Sequence, residues 1–146
     1  MRDKTGKDRP LAGKKIVVDA GNGAGGFYAE KVLAPLGADI SASQFLEPDG
    51  RLKPLGADTA GSKFLDPDGR FPNHIPNPEN KEAMRSVCEA VQRAHADFGI
   101  IFDTDVDRAG AVDAKGEEIN RNRLIALISA ILLEEEPGAT IVTDSV

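Results

Sequence analysis

Residues 97–108 read DFGIIFDTDVDR, and this stretch carries most of the information about fold and function. Its apolar first half predicts a buried strand at the centre of a sheet. Three aspartates then alternate along the chain, Asp103, Asp105 and Asp107, and Arg108 follows them directly. Because ligands bind at the carboxyl ends of strands in open α/β sheets, the stretch predicts a functional loop there.

The alternating aspartates favour a metal site. Carboxylates that converge repel one another unless a cation joins them. Hard divalent cations prefer oxygen ligands, and Mg²⁺ is the usual ion where phosphate is near. A polar turn of solvated aspartates is the alternative without a ligand. A calcium EF-hand is excluded, because counting from Asp103 places Arg108 and Ala114 where that loop needs Gly and Glu.

Strands and helices alternate around this central strand. Strands are predicted at 15–19, 38–45, 97–102, 109–113 and 139–143, and helices at 27–36, 79–96 and 122–136. This order is typical of parallel crossovers with helices on both faces of a sheet. The expected fold is an α/β class, three-layer α/β/α sandwich with a mixed, mainly parallel sheet of about four strands.

A glycine-rich turn, residues 21–26, follows the first strand. Its glycines fit the dinucleotide-binding pattern G-x-G-x-x-G, and Glu47 lies at a suitable distance for a ribose contact. However, Asp19 and Asn22 can make local turn hydrogen bonds, so reversal of the chain is the favoured interpretation. His74, in a turn flanked by prolines, is interpreted as a loop anchor rather than a ligand-binding residue.

A tandem repeat interrupts the alternation of elements. Residues 33–51 read LAPLGADISASQFLEPDGR, and residues 52–70 read LKPLGADTAGSKFLDPDGR. A solenoid needs at least three complete units, so a local duplication is the interpretation. Only one copy can occupy the place in the sheet. The first copy is expected there, because it follows the first helix directly and contains Ile40.

Composition narrows the function classes. The chain has 146 residues, a formal net charge of −6 and a pI near 4.9, which argues against nucleic acid as a partner. A single cysteine, Cys88, excludes an internal disulfide and fits a reducing compartment. The sequence shows neither a membrane-length apolar run nor a signal peptide. A soluble, cytoplasmic protein without a membrane partner is therefore expected.

The motifs taken in order resemble one family. VVDAGNG at 17–23, the EPDG of the repeat, FPNHIPNPE at 71–79 and the stretch 97–108 resemble the second domain of the α-D-phosphohexomutases. This is the phosphoglucomutase/phosphomannomutase family. Its metal loop usually reads Asp-Gly-Asp-Gly-Asp-Arg. Here Thr104 and Val106 stand at the two variable places, while the three aspartates and the arginine remain.

The resemblance implies roles for the residues of this loop. The family interconverts hexose 1- and 6-phosphates through a phosphoserine on its first domain. By resemblance, Asp103, Asp105 and Asp107 are ligands of Mg²⁺, the one expected cofactor. Arg108 would be a helper near the phosphoserine. Hexose phosphate and the other mutase domains would be the partners.

The resemblance covers about residues 13–146 and implies two parts. Residues 1–118 correspond to the second domain, with the duplication inside it. Residues 119–146 correspond to the first helix and strand of a truncated third domain. No serine of the chain stands in the family's nucleophile motif. The chain is therefore expected to be a fragment that lacks mutase activity by itself.

Two other functions remain open from the sequence. A haloacid-dehalogenase-type phosphatase also has a strand followed by Asp-x-Asp. It would use Asp103 as the nucleophile and Asp105 as the acid/base. The other alternative is a non-catalytic metal-binding or interaction fragment.

Overall fold

A computed structural model describes residues 6–44, 46 and 73–143. Its regular elements, in chain order, are β1 (Ile16–Asp19), α1 (Lys81–Ala94), β2 (Phe98–Phe102), β3 (Ala109–Asp113) and α2 (Arg121–Glu135). A 3₁₀ turn at Ala24–Gly26 and a π-helix at Ala29–Leu33 lie between β1 and α1. β3 has the predicted bounds, and both ends of each of the other four elements lie within two residues of their predicted places.

The sheet is mixed, with the strand order β1-β2-β3. β1 runs parallel to β2, and Asp19 at its end pairs with Ile101. β2 runs antiparallel to β3, from which only the acidic stretch separates it. Asp39 and Gln44 make isolated parallel bridges on the outer side of β1, so a fourth segment runs there without forming a regular strand. The expected α/β fold with a mixed sheet is confirmed.

The core lies on both faces of the sheet because alternate residues of β1 point in opposite directions. Val17 packs on the face that α1 covers. Ile16 and Val18 pack on the other face, where the π-helix lies. The residues that α1 buries are Ala83, Met84, Val87, Ala90 and Val91. Three layers result, and this arrangement places the carboxyl ends of β1 and β2 side by side at one edge.

Three predicted elements differ from the observed ones. The helix expected at 27–36 begins where predicted but ends at Leu33, about one turn early, because Pro35 has no N–H to continue it. The strand expected at 38–45 is reduced to the two bridges. The strand expected at 139–143 does not form: those residues are exposed and have no regular structure. β-branched residues form a strand only where a neighbouring strand takes up their backbone hydrogen bonds.

The duplication is described only in part. Two residues of the first copy, Asp39 and Gln44, lie beside β1. The second copy, residues 52–70, lies outside the described residues. The choice of copy therefore stays a prediction, as does the domain boundary at residue 118.

Helix α2 differs from the rest of the fold. Asn120 caps it by accepting a hydrogen bond from Asn122 N, and Arg121 Nη1 lies 2.7 Å from Glu79 Oε1. None of its 15 residues is buried. Six of its large apolar side chains are between 38% and 57% exposed: Ile125, Leu127, Ile128, Ile131, Leu132 and Leu133. Within the described part of the chain, no helix is long and apolar enough to cross a membrane.

Candidate metal centre

The acidic loop, residues 103–108, joins β2 to β3 at the edge where β1 also ends. Its first and last residues hold it closed. Asp103 N donates to the Arg108 carbonyl at 3.2 Å, and Arg108 N donates to Asp103 Oδ1 at 3.1 Å. The loop is therefore a closed turn with its ends fixed by the antiparallel strands.

The three aspartates predicted to converge do so. One carboxylate oxygen each from Asp103, Asp105 and Asp107 lies within 4.8 Å of the other two. Asp103 is 1% exposed, whereas Asp105 and Asp107 are exposed. Two oxygens bound to one Mg²⁺ lie at most about 4.2 Å apart. Because three ligands of one octahedral ion include adjacent pairs, whose oxygens lie only about 3 Å apart, the cluster would contract to surround such an ion.

Asp103 and Asp107 shift each other's pKa because their carboxyl groups lie close together. Burial raises the pKa of Asp103, but hydrogen bonds with Asp107 and with Arg108 outweigh it, and the net pKa is lowered. The pKa of Asp107 is raised by its hydrogen bond with Asp103 and by the charges of Asp103 and Asp105. Asp103 therefore ionises more readily than Asp107, and a bound cation would relieve the repulsion between the carboxylates.

Arg108 lies against this cluster. Its Nε donates to Asp103 Oδ2 at 3.0 Å and lies 3.5 Å from Asp107 Oδ1. Its Nη1 is 3.5 Å from Asn77 Oδ1. The Asp103 carboxylate raises the pKa of Arg108. Half of the side chain stays exposed, so a permanent positive charge faces solvent beside the three aspartates.

Val106 adopts a backbone conformation that branched residues avoid. Its φ is +68°, in the left-handed region. For a residue with a Cβ this conformation costs roughly 1–2 kcal/mol. The side chain packs at the border of the apolar cluster around Val18 and Phe102. The acidic loop thus stores strain at Val106.

The glycine-rich turn packs directly against the acidic loop. Ala24 N donates to the Thr104 carbonyl at 2.9 Å. A Cβ at position 23 would stand 2.7 Å from that same carbonyl oxygen, and one at position 21 would stand 2.7 Å from Pro76 Cβ. Gly21 also has a φ of +54°. These contacts support the interpretation of chain reversal and close packing, and Glu47 lies outside the described residues.

A second aspartate at this edge is buried, and its main partner is not apparent from the sequence. Asp19 is fully buried, and its Oδ1 accepts the predicted local hydrogen bond from Gly21 N at 2.9 Å. Its Oδ2 lies 2.8 Å from Gln44 Nε2 and 3.2 Å from His74 Nε2. His74 is a loop anchor, as expected, but the partner that it anchors to is 55 residues away in sequence.

Comparison with known proteins decides the family. The family model described as "Phosphoglucomutase/phosphomannomutase, alpha/beta/alpha domain II" matches residues 52–116. A solved structure from Burkholderia thailandensis, titled as a phosphoglucomutase/phosphomannomutase family protein, aligns with a TM-score of 0.69 and 30% identity. The alignment covers 94% of this chain and 26% of that one. This chain carries a domain of the phosphohexomutase family.

Relatives of this phosphohexomutase domain agree. "Phosphomannomutase/phosphoglucomutase" of Pseudomonas syringae pv. tomato is 35% identical over 130 residues, which are 89% of this chain and 24% of the relative. "Phosphoglucomutase" of Neisseria gonorrhoeae is 32% identical over 136 residues, which are 93% of this chain and 25% of the relative. The chain thus spans about a quarter of the length of the curated relatives it matches. The family-model match begins at residue 52, the first residue of the second repeat copy.

Proposed function

We propose that the acidic loop binds Mg²⁺, and that the chain is the metal-binding part of a phosphohexomutase. The activity of the whole protein would be interconversion of hexose 1- and 6-phosphates through a phosphoserine on another domain. One observation carries the proposal: three carboxylate oxygens lie within 4.8 Å of one another in the loop of a phosphohexomutase domain. When bound, Mg²⁺ would neutralise charge on a phosphoryl group.

The three aspartates would contribute differently to this site. Asp103 is held by the Arg108 backbone and side chain, so its position is set before any ion arrives. Asp105 and Asp107 are exposed and can turn toward an ion without breaking a buried contact. A site with one fixed and two adjustable carboxylates allows an ion to enter from solvent and keep water or phosphate oxygens in its shell.

Arg108 would act as a helper rather than as a ligand. Its guanidinium is a planar donor whose geometry suits phosphate oxygens, and half of its side chain is exposed beside the cluster. The contact with Asp103 fixes the orientation of the side chain. We therefore propose that Arg108 meets the phosphoryl group on the side that faces solvent in this chain. Hexose phosphate and the other mutase domains are the proposed partners.

Metal titration tests the proposal. Mn²⁺ is a paramagnetic probe, and Mg²⁺ should displace it from a single site in the 146-residue chain. The double variant Asp105→Asn/Asp107→Asn should lose this site. The double variant Glu134→Gln/Glu136→Gln changes the net charge equally at the carboxyl end of helix α2 and should keep this site. Equal Mn²⁺ binding by the two double variants, or none by the unaltered chain, would rule out the metal site.

The phosphatase alternative needs Asp103 as an exposed nucleophile. Instead, Asp103 is buried, and each of its oxygens accepts a hydrogen bond from Arg108. This geometry argues against attack by Asp103 on a phosphate ester. Incubation with Mg²⁺ and an aryl phosphate separates the two functions. Sustained hydrolysis that disappears in Asp103→Asn would favour the phosphatase, whereas the mutase-domain proposal expects no hydrolysis above background.

A further inference from the structure

A buried pair, Asp19 and His74, lies at the edge of the sheet where the acidic loop also lies. Their side chains are 0% and 2% exposed, and His74 Nε2 lies 3.2 Å from Asp19 Oδ2. A carboxylate buried to this degree is costly unless hydrogen bonds satisfy it. Gly21 N and Gln44 Nε2 supply two more of these bonds. The contact between Asp19 and His74 is therefore buried, and further hydrogen bonds to Asp19 hold it in place.

One path leads from this pair to the acidic loop through the glycine-rich turn. The Asp19 carboxylate accepts a hydrogen bond from the backbone N–H of Gly21. Three residues later, Ala24 N donates to the Thr104 carbonyl at 2.9 Å. Gly23 lies so close to the same carbonyl that a single added carbon would overlap it. Displacement of the turn would therefore displace Thr104, which lies between two of the three aspartates.

A second path leads through the segment that carries His74. Pro76 of this segment packs on Gly21, where an added Cβ would lie 2.7 Å from the proline ring. Asn77 Oδ1 faces Arg108 Nη1 at 3.5 Å and also accepts a hydrogen bond from Glu79 N at 2.9 Å. The segment anchored by His74 thus borders the arginine at the far end of the acidic loop.

We propose that Asp19 and His74 are positioning residues for the metal centre: their buried contact fixes the two segments against which the acidic loop rests. The consequence for metal affinity rests on the proposed function. The consequence for the loop itself does not, because the hydrogen bonds of Ala24 and Arg108 can be followed without any metal. Outer partners of a metal site typically change affinity by about 10- to 100-fold when they are removed.

The experiment compares three variants of the 146-residue chain. His74→Phe keeps a ring but removes the donor to Asp19. His74→Gln keeps a side-chain N–H and should restore part of the effect. Val91→Ala is the matched control, because it opens the core on the α1 face near Gly99, at the opposite end of β2. Amide hydrogen exchange is measured by NMR in the metal-free proteins, and Mn²⁺ affinity is measured separately.

In His74→Phe, exchange of the Ala24 and Arg108 amides should accelerate by about tenfold, equivalent to loss of one buried hydrogen bond. Mn²⁺ affinity should fall by at least about tenfold. Val91→Ala, compared at denaturant concentrations that give equal global stability, should change neither. If His74→Phe does not fold, His74→Gln enters the same comparison with a smaller expected change.

The outcomes separate this inference from the proposed function. Ala24 exchange in the His74 variants equal to that in Val91→Ala overturns the positioning role, whatever the chain does with Mn²⁺. Accelerated exchange in a chain that binds no Mn²⁺ supports the positioning role and removes the metal site. Accelerated exchange together with weakened Mn²⁺ binding supports both.

Discussion

Two buried aspartates, Asp19 and Asp103, lie at the carboxyl ends of two neighbouring parallel strands, at one edge of the sheet. Their exposed fractions are 0% and 1%. Asp19 is enclosed by neighbouring polar groups, among them Gln44 and His74. Asp103 shares its surroundings with a half-exposed arginine and two exposed aspartates. Burial alone therefore does not distinguish a scaffold residue from a binding residue; the exposure of the partners does.

The turns that follow these aspartates differ in the same way. The turn after Asp19 places Gly21 and Asn22 in the left-handed region, which glycine adopts freely and asparagine more readily than most residues. The acidic loop after Asp103 has Val106 in a similar conformation and is strained. The scaffold side of this edge thus carries less backbone strain, whereas the candidate metal side keeps both unbalanced charge and a branched residue in the left-handed region.

The largest expected effect is loss of the scaffold aspartate. Asp19→Ala leaves the Gly21 N–H, Gln44 and His74 without their shared buried acceptor. Breaking one side of a buried charged network costs about 3–5 kcal/mol. Urea unfolding measures this cost. Asp39→Ala is the control, because Asp39 also accepts a local turn N–H, from Ser41, but is exposed. Equal destabilisation by the two substitutions would remove the distinction drawn for Asp19.

Loss of the site aspartate should affect stability less and metal binding more. Asp103→Asn keeps the shape of the side chain but places an amide against Arg108. One unsatisfied hydrogen-bonding group costs about 1–3 kcal/mol. Mn²⁺ affinity should also fall by more than about tenfold, because a fixed carboxylate ligand is lost. Unfolding and titration on the same sample test both parts. Unchanged Mn²⁺ affinity would contradict the assignment of Asp103 to the metal site.

The strain in the acidic loop gives a smaller and opposite effect. Val106→Ala removes the side-chain contacts but keeps a Cβ in the left-handed conformation. Val106→Gly removes both. The glycine variant should therefore be more stable than the alanine variant by about 1 kcal/mol, the reverse of the usual order within regular structure. Paired urea unfolding curves measure the difference, and an alanine variant of greater stability would show that the loop is not strained at this position.

The smallest expected effect is the pH dependence of the His74 contact. Burial lowers the pKa of His74, but the hydrogen bond and charge of Asp19 outweigh it, and the net pKa is raised above 6.5. Stability from a raised histidine pKa is fully present below about pH 6.5 and is lost as pH rises through the folded value. The difference in unfolding free energy between the unaltered chain and His74→Gln should shrink over that range. A difference that grows with pH would contradict the pKa shift.

The acidic loop is predictable from the sequence because its chemistry is local. Six consecutive residues supply the carboxylates and the arginine, and the apolar strand before them fixes their place in the sheet. The apolar spacing within α1 is local too, and the observed helix departs from the predicted 79–96 by only two residues at each end. Resemblance to the phosphohexomutases added the identity of the family.

The Asp19–His74 pair is less predictable because it is a long-range contact. The sequence shows a turn aspartate and a histidine between prolines, each with its own local explanation, and nothing in their spacing joins them. The strand predicted at 139–143 is wrong for a related reason. A segment of high strand propensity forms a strand only beside a partner strand, and the local sequence does not show whether the fold provides one.

Helix α2 is expected to unfold separately from the core of the chain. A helix of 15 residues is marginal in water by itself, and α2 buries none of its residues. Segments with few buried contacts open at lower free energy than the core, so one melting temperature does not describe the whole chain. The single tyrosine, Tyr28, packs edge-on against Phe102 of β2 at 5.2 Å, so its fluorescence reports on the surroundings of the sheet rather than on α2. Helical circular dichroism includes α2 and should therefore decline before tyrosine fluorescence changes.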